Sequence, residues 1–314
     1  MFSSPKRWLV TGAAGFIGSH LVDRLLSLGQ EVVGLDNLST GKIENLGEAQ
    51  KSSNFHLLHG DIRVLDDCIK VVDGVQGIFH QGALASVPMS IRDPLATHAV
   101  NVTGTVNILK AAVDAGVKRV VYASSSSVYG DCPRVPIVEE EILSPLSPYA
   151  LSKMAMEQYA KVFERCYGLE TVGLRYFNVF GPRQDPNSPY SGVISIWSEA
   201  LQKGKPAKIY GDGTSTRDYC AVSDVVQANL LAMNFENKSI IGKSYNVGTG
   251  IATSLSTLWT TLSVAQKETS SVENLPYRTG DILHSTANTT RAEKELGFKA
   301  KGTLAEGLRS LIAG

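Results

Sequence analysis

The stretch Val10-Thr11-Gly12-Ala13-Ala14-Gly15-Phe16-Ile17-Gly18 constrains the fold more than any other part of the chain. Before it, Arg7–Thr11 reads as a short apolar strand. After it, Phe16–Leu28 reads as a helix with apolar residues at 17, 21, 22, 25, 26 and 28, stopped by Gly29. Glycines between a strand and a helix have a physical use. Gly12 permits a tight turn, Gly15 lets backbone N–H groups approach a diphosphate, and Gly18 allows close helix packing. The helix start carries about half a positive charge, which favours that anion. The pattern predicts a dinucleotide site, with Phe16 and Ile17 lining its floor.

The alternation continues. Strands are predicted over Glu31–Asp36, Phe55–His59, Gly77–Gln81, Val120–Ser124 and Thr171–Tyr176. One long helix is predicted over Asp93–Ala115, closed by Gly116, and another from Pro148 to about Tyr167 with Ser147 as its N-cap. Strands alternating with helices give a doubly wound, Rossmann-type parallel sheet of the α/β class. The expected division is a dinucleotide-binding domain over 1–180 and a smaller substrate lobe over 181–314, with some crossover of segments. From Phe180 on, Gly-Pro, Asp-Pro, Ser-Pro and Gly-Asp-Gly punctuate shorter elements.

Asp36 closes the second strand, eighteen residues beyond Gly18, where an acid bonds the adenosine ribose hydroxyls. A 2′-phosphate there meets like charge, so the expected cofactor is NAD. Asn37 beside it, Asp61 and Ile62 after the third strand, and Gln81, Ala83 and Ala85 after the fourth extend the expected lining. Asp61 offers an acceptor for the adenine amino group, or merely forms a turn.

Tyr149 and Lys153 lie four residues apart, one turn of a helix, and so share a face. A phenol titrates near pH 10, and using it as a base near pH 7 demands stabilising its anion by roughly 4 kcal/mol. The Lys153 ammonium and an oxidised nicotinamide are the expected sources. Ser124 to Ser127 follow the fifth strand, the right place to offer a hydroxyl to the same substrate oxygen, or simply form a polar strand end. Asn101, inside an apolar helix, is expected to bond neighbouring backbone rather than react.

Composition excludes other classes. The 314 residues carry no formal net charge, giving no electrostatic reason for nucleic acid or an anionic membrane as partner. No apolar run approaches the roughly 20 residues of a membrane span, and the polar start does not read as a signal peptide. Cys68, Cys132, Cys166 and Cys220 form no CxxC pair, and the six histidines show no HExxH spacing. The expectation is a reduced, cytoplasmic protein without a metal.

The order TGAAGFIG, Asp36, HQGALA, NVTGT, ASSSSVYG, PYALSK and RYFNVFGPRQ resembles the extended short-chain dehydrogenase/reductases over nearly the whole chain. Within them it is most similar to the UDP-sugar 4-epimerases, especially those accepting N-acetylated hexosamines. The resemblance implies catalysis by Ser125, Tyr149 and Lys153, tightly held NAD⁺, and further cofactor contacts from Ser124, Tyr176 and Val179. It assigns Asn178, Arg217 and Arg278 to the substrate diphosphate, where the planar guanidinium fork suits phosphate. Tyr210 is expected against the uracil. Relatives confined to unmodified hexoses carry a bulky aromatic at the position of Ser285. Ser285, Ala85, Ser86 and Gly192 are small here and leave room for a 2-acetamido group, with Ser86, Ser126 and Gln184 to bond it. Such a pocket also admits the smaller sugar.

Sister dehydratases carry an acidic pair where this chain has Ser126 and Ser127, which argues against dehydration. Leu283 departs from the family pattern by removing a cation near the phosphates. The alternatives are a UDP-glucuronate 4-epimerase or decarboxylase and, from another class, a redox-silent dinucleotide sensor. A homodimer through helices 93–115 and 149–167 is implied by the resemblance, and the second of these helices is apolar on more than one side.

Overall fold

The computed structural model describes residues 4–184, 192–277 and 282–313. Seven parallel strands form the central sheet: β1 (Arg7–Thr11), β2 (Glu31–Asp36), β3 (Phe55–His59), β4 (Gly77–His80), β5 (Arg119–Ser125), β6 (Glu170–Tyr176) and β7 (Lys243–Val247). Their order is β7-β6-β5-β4-β1-β2-β3, so the winding reverses between β1 and β4. A crevice opens at such a reversal, outside the carboxyl ends of the strands. The predicted strands are all present within one or two residues.

The core lies on both sheet faces, as expected of strands buried on both sides. Trp8, Val10, Phe79, Val121 and Leu174 pack with α1 (Phe16–Ser27) on one side. Leu9, Val33, Ile78 and Val120 pack with α2 (Leu65–Val72) on the other.

The long helix expected over Asp93–Ala115 is not a uniform rod. After a short α3 (Val87–Arg92), α4 (Pro94–His98) begins with Asp93 accepting the Ala96 N–H at 2.9 Å. It passes through a π-turn, Ala99–Thr103, before continuing as α5 (Gly104–Asp114). The swelling surrounds Asn101, whose side chain serves the neighbouring loop. Its Oδ1 accepts the Leu84 N–H, and its Nδ2 donates to the Leu84 carbonyl and to Ser152.

Helix α6 (Pro148–Tyr167) starts where expected, with the Ser147 hydroxyl accepting the Ala150 N–H at 3.1 Å. Beyond Phe180 the chain builds α7 (Val193–Gln202), α8 (Val222–Ala232), α9 (Leu255–Gln266) and α10 (Leu304–Ala313). Between them lie short strand pairs around a separate apolar cluster with Trp197, Ile209 and Leu258. Strand β7 returns from this part of the chain to edge the main sheet against β6.

Candidate active site

The glycine turn leaves no room for side chains. Gly12 has φ +66°, and a Cβ there would stand 2.8 Å from the Gly82 backbone. A Cβ on Gly18 would stand 2.0 Å from the Gly12 carbonyl oxygen. The close approach at Gly18 is therefore to the turn itself. The Gly15 N–H already bonds the Gly12 carbonyl at 3.0 Å, so the groups open to an anion are those of Phe16 and Ile17 behind it. Helix α1 begins at Gly15 with no side-chain cap, and its start lines a cleft.

Gly12, Gly15, Phe16, Ile17 and Gly18 form one wall of that cleft. Asp36 and Asn37, then Asp61 and Ile62, then Gln81, Ala83 and Ala85 bring in the ends of β2, β3 and β4. An uncapped helix start, a turn that excludes any Cβ, and an acid at the second strand fit a dinucleotide. Asp36 also braces the cleft, since its carboxylate accepts the N–H groups of Ala14 (2.9 Å) and Leu38 (2.8 Å).

Asp61, expected as an adenine acceptor or a turn former, already has protein partners at the cleft edge. Its carboxylate is engaged by Arg63 at 2.6–3.0 Å and by the Asn37 amide at 2.9 Å. Led by the Arg63 hydrogen bond, these partners hold its acid at about 2. Lys42, Asn45 and Arg183 line the cleft as well. No strand end or glycine spacing singles them out in the sequence.

Beyond the cleft, β5 ends at Ser125 and α6 carries Tyr149 and Lys153. The Ser125 oxygen accepts from the Ser127 N–H (3.2 Å) and hydroxyl (2.9 Å), which directs its own proton elsewhere. It also lies near enough to the Tyr149 phenol to favour the phenolate. Lys153 is buried, donates to the Ala123 carbonyl at 2.8 Å, and stands 6.0 Å from the Tyr149 ring centre.

The expected acidification by Lys153 is not built into the protein alone. Burial pushes the Tyr149 phenol up, with Ser125 the opposing influence. Burial also pulls Lys153 down to about 7, so its charge is itself only partly present at neutrality. A further positive charge has to enter the site for the phenol to work as a base.

Two expected cofactor contacts have side chains that also brace the site. The Ser124 hydroxyl donates to Glu157 at 2.5 Å, and Glu157 forms a buried bidentate pair with Arg175. The Tyr176 hydroxyl donates to Gln81 (3.1 Å) and accepts from Asn229 (2.7 Å), while Gln81 donates to Asn229 (3.1 Å). This closed triangle fixes Gln81 from behind. Asn229, on α8 far along the chain, is invisible to motif reading.

The substrate-side residues are less completely defined. Arg217 and Ser285 are register partners on adjacent two-residue strands, and Ser285 is buried. The Arg217 guanidinium donates to the Ile282 carbonyl at 2.7 Å. Asn178 is exposed beside Val179, which accepts from Gln184 at 3.3 Å. A Cβ on Gly192 would lie 3.5 Å from the Gln184 amide nitrogen, so these two are neighbours. Ser126 follows Ser125 in a 3₁₀ turn, and Tyr210 ends a short strand, half-buried. Ser86 caps α3, accepting the Met89 N–H at 3.3 Å. Arg278 lies outside the described residues.

Among the described residues no helix is long and apolar enough to cross a membrane, and no group of side chains is placed to hold a metal ion.

Residues 8–248 match the NAD dependent epimerase/dehydratase family. The chain is 44% identical to a UDP-glucose 4-epimerase of Mycolicibacterium smegmatis over 308 residues, covering 98% of this chain and 97% of that protein. It is similar to the solved UDP-N-acetylglucosamine 4-epimerase of Methanobrevibacter ruminantium, crystallised with UDP-N-acetylmuramic acid (TM-score 0.93, 38% identity, 99% and 98% of the two chains). It is also similar to the UDP-glucuronic acid 4-epimerase of Bacillus cereus with UDP-glucuronic acid and NAD (TM-score 0.91, 29% identity, 98% of each chain). The glycine turn, Asp36 and the serine, tyrosine and lysine set are thus found within a full-length match. The dinucleotide is NAD, and the chain belongs to the NAD dependent epimerase/dehydratase family of extended short-chain dehydrogenase/reductases.

Proposed function

We propose that this protein interconverts the C4 epimers of UDP-sugars through a transient 4-ketone, with UDP-GlcNAc and UDP-GalNAc as preferred substrates and UDP-Glc and UDP-Gal also accepted. The observation that carries the reading is the Tyr149 phenol set near Ser125 and on one helix with Lys153, beside a cleft whose lining fits a dinucleotide. NAD⁺ supplies the acceptor for the C4 hydride and the positive charge that the protein lacks. Tyr149 takes the C4 hydroxyl proton and later returns it. Ser125 donates to the oxygen that becomes charged, and Ser127 keeps Ser125 oriented. Lys153 holds the nicotinamide ribose.

The small, buried Ser285 beside Arg217 supports the N-acetyl preference. Asn178, Arg217 and Arg278 are assigned to the diphosphate and Tyr210 to the uracil. The identity to the Mycolicibacterium UDP-glucose 4-epimerase favours a second reading, in which UDP-glucose is the principal substrate. NMR analysis of products from UDP-GlcNAc, UDP-Glc and UDP-glucuronate separates them. Fastest conversion of UDP-GlcNAc supports the first reading. Fastest conversion of UDP-Glc selects the second, and turnover of UDP-glucuronate alone refutes both.

We also assign residues 1–180 to cofactor binding and 181–314 to the sugar nucleotide, with β7 crossing between them. A cytoplasmic homodimer is part of the proposal. Its support is the apolar surface on the helices around α6: Ile91 is 64% exposed, Leu95 81%, Leu151 52% and Val162 49%. Aliphatic side chains so exposed on adjacent helices mark an interface.

A further inference from the structure

A second cavity, of about 690 Å³, lies behind α1, on the side of that helix away from β2 and β3. Its apolar wall includes Phe180, Val226 and Leu230, and its polar rim includes His20, Arg24 and Lys301. The size suits a small organic molecule. The charge is one-sided. Asp23 faces the cavity, but its carboxylate is paired with Arg183 at 2.6 Å. Arg24 and Lys301 have no carboxylate partner among the described residues. Lys301 is held in place, because the Asp224 carboxylate accepts the N–H groups of Lys301 (3.0 Å) and Gly302 (3.1 Å). An apolar wall with two uncompensated cations at its rim matches an anionic head on an apolar body.

The loop 181–184 separates this cavity from the dinucleotide cleft and belongs to both. Pro182 lines the cavity and its carbonyl bonds His20 at 3.0 Å, while Arg183 and Gln184 line the cleft. The loop is under-satisfied. Arg183 is a non-glycine residue with φ +67°, and among the described residues its buried Nη1 has no hydrogen-bond partner, nor has the Gln184 Oε1. Native proteins leave few such atoms, and strain of this kind persists where an element is set to rearrange.

We propose that this cavity is a binding site for an organic anion with an apolar body, and that its occupant loosens NAD by drawing the Arg183 loop away from the cleft. The site is separate from the sugar-nucleotide site, and it does not depend on which UDP-sugar is the substrate.

The probe is 8-anilinonaphthalene-1-sulfonate, with N-phenyl-1-naphthylamine as its uncharged counterpart, titrated into enzyme saturated with NAD and UDP. The expected result is one sulfonate probe per chain, bound at least ~10-fold more tightly than the neutral one. Arg24→Glu combined with Lys301→Glu removes that difference while leaving basal turnover unchanged. Gln227→Trp, which fills the cavity from its half-exposed edge, blocks both probes and guards against misfolding of the charge-reversed variant. Bound probe is expected to speed NAD release at least ~3-fold, and Asp23→Asn to abolish that effect. Failure of the sulfonate probe to bind the UDP-saturated enzyme, or equal binding to the charge-reversed variant, overturns the site. Unchanged NAD release with the probe bound overturns the coupling.

Discussion

The two ends of the proposed active site are built by different means. The dinucleotide end draws on consecutive loops of one sheet, and most of its polar side chains are already held in place. Asp36 is bonded to two backbone N–H groups, Asp61 to Arg63 and Asn37, and Gln81 to Tyr176 and Asn229. The sugar-nucleotide end is assembled from residues far apart in the chain, on strands only two residues long, as with Arg217 and Ser285. A prearranged cleft suits a cofactor kept through every turnover. A looser collar suits a sugar that must present both of its faces to the same nicotinamide.

The sharpest test of that contrast removes the chemistry and leaves the cleft. Tyr149→Phe is expected to cut turnover about 10³-fold, because it removes the proposed base, the phenol that lies near both Ser125 and Lys153. NAD retention on gel filtration is expected to be unchanged. Loss of NAD together with activity would show that the two ends are not separable.

The second largest effect belongs to the sugar end. Ser285→Tyr places a ring where a buried small residue faces Arg217. UDP-GlcNAc turnover is expected to fall roughly 10²-fold and UDP-Glc turnover by less than about 3-fold. An equal loss on both sugars would mean that position 285 does not discriminate size.

The dinucleotide end was the more legible in the sequence, for a physical reason. Its residues sit at strand ends, which hydrophobic periodicity locates, and the glycine spacing is dictated by contacts within a few residues. Asp36 needs only the end of β2 to be found. Asn229, Arg183 and the supporting role of Tyr176 depend on contacts across the fold, which no local pattern encodes. Asn101 was read correctly as a backbone binder, but the π-turn around it was not. Helical periodicity does not register one widened turn. Motif reasoning supplies the Lys153 charge beside Tyr149 but omits the cost of burying the two groups.

That cost has a measurable sign. In protein stripped of NAD, Lys153 loses its proton near pH 7 when folded, against 10.5 as its ordinary value. Between those values the unfolded chain holds the extra proton, so stability rises with pH from about 7 toward 10. Lys153→Met removes the buried charge and is expected to flatten this contribution and raise the melting temperature at pH 7 by roughly 5 °C. Activity falls at the same time. A variant with unchanged pH dependence of melting would show that the lysine is not the strained group.

The smallest effect tests whether the support behind the cleft matters. Tyr176→Phe deletes the hydroxyl that joins Gln81 to Asn229. The Gln81–Asn229 bond survives, and the Asn229 amide still donates to the Val225 carbonyl at 2.8 Å, so no buried group is stranded completely. The hydroxyl's two hydrogen bonds are worth about 1 kcal/mol each, and about half of that loss is taken to fall on the cleft. NAD release is therefore expected to quicken by roughly 5-fold, with little change in the preference among sugars. Asn229→Leu breaks two of the three sides of the triangle, leaving only the Tyr176–Gln81 bond, and also removes the donor to the Val225 carbonyl, so it should exceed that effect. If both substitutions leave NAD release alone, Gln81 is held well enough by its strand. The firmness of the cleft would then reside in the glycine turn and Asp36.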